Sequence, residues 1–170
     1  MPEKSQVKTC APVVQNLHVG RSKGTWRLSY PVLNVFLAED NPADVYLIRE
    51  ALEEHGVKCN LRVASDGKQV LGILSAETAE QQDYRLIILD LNLPRHDGIE
   101  ILEYLRKSKL FSRVPVVVLT SSDSPQDRLL ATNLGAQRYL RKPSNLEQFM
   151  SLGAEFKKLL ESGNVEGASK

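Results

Sequence analysis

The run Leu86-Ile87-Ile88-Leu89 ends directly on Asp90, and a loop punctuated by proline and glycine, Leu91-Asn92-Leu93-Pro94-Arg95-His96-Asp97-Gly98, follows it. A continuous apolar run of this length describes a strand buried on both faces, as in a parallel sheet covered by helices. A carboxylate at its C-terminal end is carried from the dry core to the rim of the sheet. That rim is where open α/β sheets bind their ligands.

The pattern recurs on both sides of this stretch. Val35-Phe36-Leu37-Ala38 is a short apolar strand ending at Glu39-Asp40, and Asn41-Pro42 opens a helix with a good N-cap and proline at its first position. Val45, Ile48 and Leu52 follow at helical spacing, with Leu47 and Ala51 beside them, until His55-Gly56. Cys59, Leu61 and Val63 alternate with Asn60 and Arg62, the period of a half-exposed edge strand. Asp66-Gly67 turns the chain into a second helix with Val70, Leu71 and Leu74, and residues 75–83 are polar and loosely patterned. After Gly98 a third helix buries Ile101, Leu102 and Leu105.

Pro115-Val116-Val117-Val118-Leu119 is another wholly apolar strand, ending at Thr120-Ser121-Ser122. Ser124-Pro125-Gln126-Asp127 begins a fourth helix, with Leu130 and Leu134 expected on its inner face. The fifth strand, 136–140, is mixed in polarity and ends at Arg141-Lys142-Pro143. Ser144-Asn145-Leu146-Glu147 has capping-box spacing, and Phe149, Phe156 and Leu160 line the last helix.

Five βα units imply an α/β fold, a doubly wound parallel sheet with right-handed crossovers. Strands one, three and four read as buried and strands two and five as edges, which fits the order 2-1-3-4-5. A chain of 170 residues, 42% hydrophobic and 25% charged, suits one soluble domain, and a net charge of +1 gives no general pull toward nucleic acid or membrane. The five basic residues Lys4, Lys8, Arg21, Lys23 and Arg27 face only Glu3 in the first 33 positions. Apolar points there are few (Val13-Val14 and the stretch around 26–30), so 1–32 is expected to be a flexible extension, 33–161 the domain, and 162–170 a disordered tail. Cys10 and Cys59 do not suggest a disulfide framework, and with no signal-peptide or membrane-helix pattern the expected location is cytoplasmic.

The chemistry converges at the strand ends. Glu39 and Asp40 follow strand one, Asp90 strand three, Thr120 ends strand four and Lys142 follows strand five. Three carboxylates on one rim raise each other's pKa values unless a cation resolves the conflict, and Mg²⁺ suits one or two carboxylates plus waters. Lys142 adds a fixed positive charge and Thr120 a hydroxyl donor. Such a set can attack a phosphoryl group through a carboxylate oxygen, with metal and lysine offsetting charge on the equatorial oxygens. Any one of these residues alone reads more readily as a cap, a turn residue or a solvated charge; their conjunction is what points to chemistry.

Through Leu37-Ala38-Glu39-Asp40-Asn41, the Asp90 loop, Leu119-Thr120-Ser121-Ser122 and Arg141-Lys142-Pro143, the chain resembles the receiver domains of two-component response regulators, over residues 32–160. The resemblance implies that Asp90 is phosphorylated by a sensor histidine kinase. It implies that Glu39, Asp40, Asp90 and the backbone carbonyl of Asn92 hold Mg²⁺, with Glu39 acting through water. Thr120 would bond the phosphoryl group, Lys142 would pair with it, small Ser121 would leave room for it, and Tyr139 would be the aromatic switch that follows Thr120 inward. It further implies a cis Lys142-Pro143 bond. Glu39 stands where Asp is commoner, and both occur.

With no element after Leu160 long enough to fold alone, the similarity is to standalone receivers, notably those paired with phytochrome-type kinases. The expected activity is that of a phosphoacceptor signalling module rather than an enzyme, with a downstream protein partner, or a homodimer, on the face of the fourth helix, fifth strand and last helix. An alternative role is a phosphorelay intermediate that passes the group to a histidine phosphotransfer protein. A haloacid-dehalogenase-type phosphatase would need a second carboxylate where Asn92 stands. A binding-only pseudo-receiver would not need the complete acidic set.

Overall fold

The computed structural model describes residues 18–22, 25–29, 32–76 and 83–162. The chain divides into two compact units, Met1–Pro31 and Val32–Lys170. In the first, strands β1 (His18–Ser22) and β2 (Thr25–Ser29) pair antiparallel, with Val19 opposite Leu28 and Arg21 opposite Trp26. The sequence carries no strand signal there, because five-residue stretches of mixed polarity show little periodicity. The rest of the expected flexible extension lies outside the described residues, as do 77–82 and the expected tail beyond Ser162.

The second unit is a sheet in the order β4-β3-β5-β6-β7. Its strands are β3 (Leu33–Ala38), β4 (Cys59–Ala64), β5 (Tyr84–Leu89), β6 (Val116–Thr120) and β7 (Arg138–Arg141), all parallel. Counted as βα units this is the order 2-1-3-4-5 read from the polarity of the strands. The three apolar runs occupy the centre, and alternating β4 and mixed β7 lie at the edges.

The helices are α1 (Pro42–Glu54), α2 (Gly67–Ala76), α3 (Gly98–Lys107), α4 (Pro125–Asn133) and α5 (Leu146–Ser162). Side chains cap their first turns: Asn41 accepts from Ala43 N–H, Asp66 from Gln69 N–H, Asp97 from Ile99 N–H and Ser124 from Asp127 N–H. Helices α1 and α5 cover one face, where Ile48, Leu52, Phe149 and Phe156 pack on Val35, Leu37, Ile88 and Val117. The other face is covered by α2, α3 and α4, with Val70, Leu74, Ile101, Leu105 and Ala131 on Phe36, Ile87 and Val118. Alternate residues of each central strand therefore feed different cores, and that is why these strands are apolar throughout. On α5, Gly153 lets two helix backbones meet: a Cβ there would collide with the Ala51 carbonyl of α1.

Three local expectations are corrected. Leu130 is 48% exposed and the buried residue of α4 is Ala131, with Leu134 packed at its end. One residue rotates the helix by about 100°, so the inner stripe runs through 131 and 134 instead of 130. Asn145, not Ser144, caps α5: its Oδ1 accepts from Gln148 N–H at 2.8 Å, and the helix starts one residue later than the capping box requires. The Lys142–Pro143 bond is trans, the isomer that X–Pro bonds favour by about 0.5–1 kcal/mol.

Candidate functional site

The sheet ladder continues one residue past the strand ends and fixes the backbone of the site. Glu39 N–H donates to Ala64 O, Asp90 N–H to Ala38 O and Lys142 N–H to Thr120 O, each at 2.9–3.0 Å. Acid, acid and lysine are thus set by the same hydrogen bonds that hold the sheet together. They meet beside the junction of β3 and β5, where the strand order reverses.

Glu39, Asp90 and Thr120 are buried, at 2%, 3% and 0% exposure, whereas Asp40 faces solvent. Oxygens of Glu39, Asp40 and Asp90 all lie within 4.8 Å of one another. The ammonium of Lys142 reaches Asp90 Oδ2 at 2.6 Å, Glu39 Oε2 at 2.7 Å and Asp44 Oδ2 at 2.9 Å. The remaining oxygens of the buried pair take backbone donors, Glu39 Oε1 from Asn41 N–H at 3.1 Å and Asp90 Oδ1 from Asn92 N–H at 2.9 Å.

Burial pushes the Glu39 carboxyl above the ordinary range against the hydrogen bonds from Lys142 and Asn41, and repulsion from Asp90 is a smaller contribution. Desolvation, more than the mutual repulsion expected from the sequence, is therefore what perturbs this acid. For Lys142, burial opposes the charge, but the hydrogen bonds to Asp90, Glu39 and Asp44 together outweigh it and push the pKa up. The lysine is a permanent cation. One ammonium against the carboxylates of Glu39, Asp40, Asp44 and Asp90 leaves excess negative charge on oxygen ligands alone. That donor set fits a hard divalent cation.

Thr120 Oγ1 accepts from the side-chain amide of Asn92 at 3.1 Å and from Ser122 N–H at 3.2 Å. With both lone pairs so used, what the hydroxyl has left to offer is its proton. Asn92 also donates to Ser121 Oγ at 3.2 Å, so its side chain ties the β5–α3 loop to the end of β6. Tyr139 donates its hydroxyl to Ser122 O at 3.3 Å, and the Arg128 guanidinium lies 4.6 Å above its ring.

The loop after Asp90 is fixed by close backbone approach. Gly98 N–H donates to Leu91 O, and a Cβ on Gly98 would sit 2.7 Å from the Asp90 carbonyl oxygen. Arg95 holds a left-handed φ of 73°. The neighbouring Pro94 carbonyl accepts from Gly67 N–H at 3.0 Å, which joins this loop to the start of α2.

All the strand-end residues singled out in the sequence converge here. Missed were Asp44 and the amide of Asn92. An acid in the first turn of a helix is explained by the helix dipole alone, so Asp44 gave no separate signal.

A five-stranded doubly wound sheet with an acidic cluster where its strand order reverses defines the receiver class of α/β proteins. The chain belongs to the response regulator receiver domain family, whose model matches residues 35–152, and so to two-component signalling. It is 33% identical over 126 residues to the response regulator Rcp1 of Synechocystis sp., covering 73% of this chain and 86% of that one. The crystal structure of the phosphorylated cyanobacterial phytochrome response regulator RcpA superposes with a TM-score of 0.71 at 34% identity, covering 78% of this chain and 96% of that one. The Mn²⁺-bound form of Rcp1 gives a TM-score of 0.66 at 31% identity, with 81% and 97% covered. Among the described residues no helix is long and apolar enough to cross a membrane.

Proposed function

We propose that this receiver stores a phosphoryl group on Asp90, taken from the phosphohistidine of a sensor histidine kinase, and that the stored charge changes which protein the domain binds. The observation that carries the reading is the pairing of a 3%-exposed Asp90 carboxylate with Lys142 at 2.6 Å, beside carboxylate oxygens within 4.8 Å. An Asp90 oxygen attacks phosphorus; the new O–P bond forms as the P–N bond breaks, its electron pair returns to that ring nitrogen, and the imidazole, already protonated on its other nitrogen, leaves neutral. Lys142 offsets charge on the equatorial oxygens, and the Thr120 hydroxyl donates to one of them. Glu39, Asp40 and Asp90, with the Asn92 carbonyl, would hold Mg²⁺, which when bound supplies further neutralisation of the phosphoryl oxygens. Asn92 cannot act as a proton shuttle in the way a carboxylate would, which favours storage over rapid hydrolysis.

Thr120, drawn to the phosphoryl group, changes its bonds to Asn92 and Ser122, and through Ser122 the seat of Tyr139. The face of α4, β7 and α5 then reads out the charge to a protein partner or a second copy. Residues 33–161 carry this function in the cytoplasm. Similarity to RcpA, a cyanobacterial phytochrome response regulator, supports a phytochrome-type kinase as donor. Incubation with acetyl phosphate and Mg²⁺, followed by intact mass, tests the reading. A single phosphoryl adduct that is lost with chelator and in Asp90→Asn is expected; a folded wild-type protein without adduct contradicts it.

A further inference from the structure

Resting on that reading, we propose that Asp44 is a positioning residue for Lys142, the partner that keeps hold of the ammonium when a divalent cation draws on the oxygens of Glu39 and Asp90. Every oxygen of that buried pair is engaged, and Lys142 holds one on each residue, at 2.7 and 2.6 Å. A cation bound by the acidic cluster therefore competes with the lysine for the same carboxylates. An ammonium has three donors, and the third goes to Asp44 Oδ2 at 2.9 Å.

Asp44 is not among the residues whose oxygens gather as a cluster. It projects from the first turn of α1, a rigid helix held in place by the Asn41 cap and Pro42. Its side chain is 18% exposed and that of Lys142 only 12%. An ammonium so buried is costly to leave unpaired. Without Asp44 it would hold its cluster oxygens more firmly and the cation would bind less well. The helix dipole accounts for an acid in this turn, but not for a carboxylate turned inward onto a lysine that is itself largely withdrawn from solvent.

Calorimetric titration with Mg²⁺ of wild type, Asp44→Asn, Lys142→Met and the double variant, each checked for folding by circular dichroism, tests the proposal. Asp44→Asn is expected to raise the Kd roughly three- to tenfold with Lys142 present and less than about twofold in the Lys142→Met background, any through-space charge effect being common to both. Asp44→Glu, which keeps the carboxylate on a longer arm, is expected to return the Kd to within about twofold of wild type. Equal fold-changes in the two backgrounds, or an Asp44→Glu protein as weak as Asp44→Asn, overturn the role. A wild type that neither binds Mg²⁺ nor forms the acetyl-phosphate adduct instead overturns the phosphoacceptor reading on which the role rests.

Discussion

Lys142 gives all three ammonium hydrogens to carboxylates, two of them buried, so its removal strands negative charge in the interior. Lys142→Met is expected to lower unfolding stability by about 1–3 kcal/mol in the presence of chelator. Millimolar Mg²⁺ should recover part of the loss, because a cation at the acidic cluster replaces the missing charge. Urea unfolding with and without Mg²⁺ measures both. Asp66 provides a titration outside that cluster. The backbone N–H of Gln69 is the largest influence holding its carboxyl below the ordinary 3.8, with Arg95 adding to it. A depressed pKa means stability that is present above 3.8 and lost as pH falls through the lower folded value. Asn also caps helices, so Asp66→Asn keeps the cap and removes the titration. Wild type should exceed Asp66→Asn in urea midpoint at neutral pH, and the difference should vanish below the ordinary carboxylate range. A constant difference at all pH values would remove the electrostatic account.

Between α1 and α5 the contact is backbone against backbone at Gly153 and Ala51. Gly153→Ala gains helix propensity at that position but forces two helices apart, and overpacking of this kind costs about 1–3 kcal/mol. The urea midpoint should fall; a rise would mean that the helices separate freely. Such contacts are where sequence reasoning stops. Apolar runs at 86–89 and 116–119 revealed central strands because burial on both faces removes every polar residue from them. Alternation in β4 revealed an edge for the converse reason. The strand-end residues of the site were legible because the ladder places them by chain position alone. Asp44 was not, since its role depends on how far a lysine from β7 reaches across to α1. Leu130 misled because α4 buries so little that no stripe stands out: Ala131 is its one buried residue. The hairpin of β1 and β2 was hidden by its shortness.

At the scale of the molecule, the proposed function asks one added phosphoryl group to alter a distant face, and the hydrogen bonds from Thr120 through Ser122 to Tyr139 offer a route to it. Phosphorylation is expected to change self-association or partner binding in wild type, and Thr120→Ala should weaken that change while leaving the adduct at Asp90 intact. Sedimentation of both proteins with and without acetyl phosphate measures it; identical responses would remove Thr120 from the coupling. All of this rests on the proposed storage of a phosphoryl group at Asp90. Borohydride reduces an aspartyl phosphate to homoserine, so peptide mapping after phosphorylation and reduction finds the modified residue directly. The mass change of that conversion is expected at position 90 and nowhere else. A phosphoryl group mapped to another residue, or a folded, Mg²⁺-loaded protein in which position 90 is unchanged, would contradict the account.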